Sequence, residues 1–157
     1  MKTRSLFLVT FAIAFALLST ERLSAEPVLT EDVMSRYMAI YPLYMRITFQ
    51  LDATSKMANG EAKDKKVEEL ILERNQLLTG NGWEDFVEFM DVDVRVMRGI
   101  TPMNILLKFE NAPESDKKQV EDAVTEKLKD YTPKEIALLK KKLRTITKMR
   151  EAALAGK

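Results

Sequence analysis

Trp83-Glu84-Asp85-Phe86-Val87-Glu88-Phe89-Met90-Asp91-Val92-Asp93-Val94-Arg95-Val96-Met97-Arg98 decides between an all-helical chain and a mixed one. At helical spacing it collects Trp83, Phe86, Val87, Met90, Val94 and Met97 on one side. At a spacing of two, Asp91 to Val96 alternates charge with valine, as a half-buried strand does. A strand needs a neighbour to complete its ladder, and no other segment reads as one. The helix is therefore the better reading, and with it an all-α fold.

Working outward, the flanking segments carry the same period. Upstream, Thr30 is an N-cap with Glu31 and Asp32 in the first turn, where carboxylates suit the helix dipole. Val33, Tyr37, Ile40, Tyr44, Ile47 and Leu51 follow at spacings of four and three, with Met34, Met38, Tyr41 and Met45 beside them. Pro42 predicts a kink after Tyr41. After the Asn59-Gly60 turn, Lys66 to Leu78 puts Val67, Leu70, Ile71, Leu77 and Leu78 on one side, and Gly80-Asn81-Gly82 stops that helix. Downstream, Gly99 and Thr101-Pro102 predict a break, then a short helix from Pro102 to about Phe109. Val120, Val124, Leu128 and Tyr131 mark a further stripe. Thr132-Pro133-Lys134-Glu135 has the form of a capping box, with Pro133 at the first helical position. Its helix runs through Ile136, Leu139, Leu143 and Ile146 to Gly156. The expected architecture is an irregular bundle of five or six helices.

The N-terminus reads differently. Lys2 and Arg4 precede the uncharged run Leu6–Leu18, which is too short to span a bilayer and is followed by Glu21 and Arg22. Residues 1–25 read as a signal peptide cleaved after Ala25, leaving 26–157 as a single helical domain. The chain has no cysteine, and a disulfide-free exported domain points to the bacterial periplasm, with secretion as the alternative address. Removing Lys2, Arg4 and Arg22 takes the bases from 25 to 22, and removing Glu21 takes the acids from 24 to 23, a net charge of −1. Such a balance gives no global field for nucleic acid.

Composition excludes several chemistries. The chain contains neither histidine nor cysteine, so Ser-His-Asp, Cys-His and Glu-x-x-His di-iron arrangements are out. There is no Gly-rich phosphate loop. Asp91-x-Asp93 lacks the remaining ligands of a calcium loop, and the acidic cluster Glu84, Asp85, Glu88, Asp91 and Asp93 reads as a solvated helix face. No catalytic, cofactor or metal set is expected, and the methionines at core spacing read as packing before they read as copper ligands.

Two surfaces remain as candidates. Lys134, Lys140, Lys141, Arg144 and Lys148 share one face of the last helix, opposite its apolar stripe. They suit an acidic partner or an anionic membrane surface. Tyr37, Tyr41, Tyr44 and Trp83 could line an apolar groove, against the plainer reading that they pack inside.

Leu29-Thr30-Glu31-Asp32-Val33, Gly82-Trp83 through Arg98, and Tyr131-Thr132-Pro133-Lys134-Glu135 resemble segments of uncharacterised exported helical proteins of Gram-negative bacteria. The last segment is also similar to the L-T-x-x-Q motif of helical periplasmic stress chaperones, with Tyr for Leu and Glu for Gln. The first resemblance implies a helical fold, the second a holder of unfolded proteins. Together with the excluded chemistries, the expectation is a non-catalytic module that binds another envelope protein.

Overall fold

The computed structural model describes residues 26–155. The leader expected over 1–25 and the stop expected at Gly156 lie outside the described residues. Among the described residues the chain forms five α-helices and no strand: α1 (Glu31–Ser55), α2 (Glu61–Gly80), α3 (Phe86–Lys108), α4 (Glu114–Lys127) and α5 (Pro133–Ala155). The fold is all-α.

Local chemistry sets the boundaries. Thr30 accepts the Val33 N–H at 3.2 Å, and Asp85 accepts that of Glu88 at 2.8 Å. The box at Thr132 closes as its sequence implies. The Glu135 N–H donates to Thr132 Oγ1 at 3.2 Å, and the Thr132 N–H returns to the Glu135 carboxylate at 2.8 Å. At the end of α2, Gly82 takes a φ of 80°, and the N–H groups of Gly82 and Trp83 reach back to Thr79 and Leu78. This left-handed stop turns the indole of Trp83 into the core.

α5 is the central element. It packs on α1 and on α3, while α2 covers α1 and α4 covers α3. α1 and α3 meet across a layer of rings: Phe89 lies 5.8 Å from Tyr37, 4.5 Å from Tyr44 and 5.2 Å from Trp83, centroid to centroid.

Several sequence expectations need correction. The buried face of α3 is Phe89, Val92, Val96, Ile100 and Met103, whereas Val87 and Val94 are exposed. Trp83 precedes the helix, so counting the period from it sets the wrong phase. α3 also runs unbroken through Gly99 and Pro102 to Lys108, in place of a break and a separate short helix. Pro102 is buried, so packing carries the helix through a residue that costs about 3 kcal/mol in isolation. Finally, α2 begins at Glu61, five residues before Lys66, and Ile71 is exposed. Tyr131 lies beyond α4, which ends at Lys127. Pro42, read as a kink and not as a stop, lies within α1.

Gly99 has a packing reason. A Cβ there would stand 2.5 Å from Leu139 Cδ1 and 3.3 Å from the Tyr131 ring. Overpacking costs about 1–3 kcal/mol, offset by about 1 kcal/mol of helix propensity. Gly99→Ala is therefore expected to lower stability by about 1 kcal/mol, read from the urea midpoint at unchanged slope. A stabilised variant would mean that α3 and α5 are not in contact there.

Candidate functional site

The aromatic residues proposed as a groove are interior. Tyr37, Tyr41, Tyr44 and Trp83 keep 0%, 1%, 6% and 2% of their surface. They form core and not a ligand groove. Two of the hydroxyls are satisfied inside: that of Tyr37 donates to Asp93 at 2.7 Å, and that of Tyr44 to the Met90 sulfur at 3.2 Å, while the buried Trp83 Nε1–H meets no acceptor among the described residues. Met34 and Met103 are buried, and Met38, Met45, Met90 and Met97 pack against the core.

Two polar networks, one buried and one partly buried, tie the helices together, and neither was visible as a unit in the sequence. In the first, Arg95 of α3 donates to Glu135 of α5 through Nε at 3.0 Å and Nη2 at 3.2 Å. Nη2 also reaches the Asp130 carbonyl at 3.0 Å, and Nη1 pairs with Glu26. Glu135 in turn accepts the Leu29 N–H at 3.0 Å. Burial pushes the Glu135 carboxyl up, but the donors from Arg95, Leu29 and Thr132 outweigh it and hold it at about 2. The Tyr131 ring lies 4.4 Å from the Arg95 guanidinium, and its hydroxyl donates to the Arg95 carbonyl at 2.6 Å.

The second network joins Tyr37 of α1, Asp93 of α3 and Arg150 of α5. The Arg150 guanidinium also lies 4.4 Å from the Tyr41 ring centroid. Burial, then the charge of Asp93, drives the Tyr37 hydroxyl far above its ordinary range, and burial raises Tyr41 to about 12. Both phenols are therefore neutral at any physiological pH.

The acidic cluster does not stay together. Asp85 caps α3, Glu88 accepts the Glu84 N–H at 2.6 Å, and Asp93 is held by Arg150. The basic face does stay together. Lys134, Lys140, Lys141, Arg144 and Lys148 are all exposed, while Leu139, Leu143 and Ile146 on the opposite side are buried. Lys141 pairs with Glu31 at 2.6 Å, and Lys142 approaches the same carboxylate at 3.5 Å. The hydrogen bond from Lys141 holds the Glu31 carboxyl below its ordinary value. Lys134, Lys140, Arg144 and Lys148 make no ion pair among the described residues.

Beside this ridge lies an open cleft of about 630 Å³. Val28, Leu29, Thr30 and Glu31 form one wall, and Thr132, Lys134, Ala137, Leu138 and Lys141 the other. Its walls are mainly apolar, with Val28 61% exposed, and its size is that of ordinary ligand sites. No local pattern marks it, because its two walls lie about a hundred positions apart. Among the described residues no helix is long and apolar enough to cross a membrane. No protein-family model, curated protein or solved structure matches the chain.

Proposed function

We propose that this is an exported helical binding module of the Gram-negative envelope that acts without catalysis, by holding a segment of another envelope protein. The supporting observation is the apolar cleft between residues 28–31 and α5, bordered by Lys134, which makes no ion pair among the described residues, and by Lys141, which Glu31 holds. An extended or helical segment with apolar residues flanked by acids fits that combination. Acids would meet Lys134 and its neighbours on the ridge, steering encounter and fixing register.

A partner protein is favoured over a lipid surface by where the apolar stripe of α5 points. An amphipathic helix binds a bilayer by burying its apolar face among acyl chains. Leu139, Leu143 and Ile146 are already buried in the bundle, so α5 has only its charges to offer a membrane.

The experiment is co-purification from a gently solubilised native envelope, using the chain from Glu26 with a tag after Lys157. The expected result is one stoichiometric partner, reduced about tenfold by reversing Lys134, Lys140 and Arg144 together to Glu. A broad spread of unfolded proteins would favour the chaperone-like holder. Recovery indifferent to the charge reversal would remove the ridge from the reading, and binding to anionic vesicles that salt abolishes would replace a protein partner by lipid.

A further inference from the structure

α3 has two faces with different occupants. The inner one is core. On the outer one Val87, Asp91, Val94, Arg98, Thr101 and Ile105 are all exposed, at spacings of four, three, four, three and four. Every helix face repeats at that spacing; this one is set apart by three apolar side chains among its six positions, with one acid and one base between them. Val87, Val94 and Ile105 are 43%, 41% and 43% exposed, so each keeps apolar surface that the described chain leaves to solvent.

The charges inside the seam complement themselves. Asp91 makes no ion pair among the described residues, and Arg98 has only Glu26 at 3.8 Å, with both side chains mostly in solvent. Two antiparallel copies of α3, related by a two-fold axis at position 96, set Val87 of one opposite Ile105 of the other. The same register puts each Asp91 within one turn of the second copy's Arg98, and each Val94 against the stem of that arginine. Parallel pairing would instead oppose Asp91 to Asp91 and Arg98 to Arg98, like charge against like.

We propose that a second copy of this chain docks on the outer face of α3, antiparallel, to form a two-fold symmetric dimer. From Val87 to Ile105 the seam is about 27 Å long at the rise of a helix. One helix pair of that length buries less than the roughly 1,200 Å² at which standard interfaces begin. The dimer is therefore of the weak, transient class.

Sedimentation velocity of the chain from Glu26 to Lys157, over about 5 to 500 µM, reads this directly. A monomer-to-dimer shift is expected. Asp91→Arg and Arg98→Asp should each weaken it about tenfold, and the double exchange should restore it to within about threefold. All three variants change exposed residues, and circular dichroism verifies that they fold. A monomer at every concentration overturns the proposal, as does a dimer that Asp91→Arg leaves unchanged or a double exchange no better than the single ones. The chain has no native cysteine, which allows a check of register. Val87→Cys with Ile105→Cys should cross-link to dimer with a short bismaleimide, whereas Val87→Cys alone should not, its two thiols being about 27 Å apart along the seam. Equal cross-linking by both overturns the antiparallel register.

Discussion

Glu135→Ala is expected to lower the free energy of unfolding by about 3–5 kcal/mol, the cost of leaving one partner of a buried ion pair uncompensated. Arg95 would keep its charge among α3, α5 and residues 26–29, with only Glu26, a carbonyl and the Tyr131 ring to answer it. The Leu29 N–H and both Thr132 donors would also lose their acceptor. Domains of this size are stable by about 5–15 kcal/mol, so the loss is a large share of the total. Urea unfolding at neutral pH measures it. A loss under about 1 kcal/mol would mean that the pair is solvated.

The same carboxylate sets an acid limit. Folding takes Glu135 from its ordinary 4.5 to about 2, so between those values the unfolded chain binds the extra proton. The stabilisation, about 3 kcal/mol at 1.36 kcal/mol per unit, is complete above the ordinary value and is lost as pH falls through 4.5 towards 2. Glu135→Gln cannot titrate. Its stability should therefore fall less steeply than that of the native chain across this window. Parallel slopes for the two chains would remove Glu135 as the source.

Phe89→Ala should be comparably severe, at about 3–5 kcal/mol. Phe89 has no exposed surface and stands between Tyr37 and Tyr44 of α1 and the indole of Trp83, so its loss opens a cavity where α1, α3 and the end of α2 meet. The rings around it cannot collapse freely, because Tyr37 is tethered to Asp93 and Arg150. Trp83 is the only tryptophan, and it meets Phe89 edge-on at 88°. Its emission should therefore shift and broaden in the folded variant while the helix signal stays. Val94→Ala, on the exposed face of the same helix, should change monomer stability by less than about 0.5 kcal/mol.

What could be read in the residues divides along the distance over which each feature is built. Thr30, Asp32 and the Thr132–Glu135 box act within one turn, and their helices begin where those residues place them. The seam of α1 was legible because six large residues repeat without interruption. α3 was legible as a helix but not in phase or length. Trp83 belongs to the turn fixed by Gly82, and Gly99 and Pro102 look like breaks until Leu139 and Tyr131 are seen against them. Glu135 could be read as a cap partner. Its second role needs Arg95, forty positions away, which nothing local marks as buried. The lysine ridge was legible because exposure is what a charged face predicts. The cleft beside it was not, since its walls come from opposite ends of the chain.

Leu29 and Glu135, joined by one hydrogen bond, are 106 positions apart. α1 likewise rests on α5, the first helix on the last. Ribosomes deliver a chain from its N-terminus, and long-range closure cannot begin until both ends exist. The tyrosine-rich helix is therefore made first of the five, and its cover is completed last. Until α5 is released, Tyr37, Ile40, Tyr41 and Ile47 lack part of their native cover, and a chain stopped before Leu139 has no means of supplying it. The kinetic hazard of this molecule lies in its first helix, and its remedy in its last.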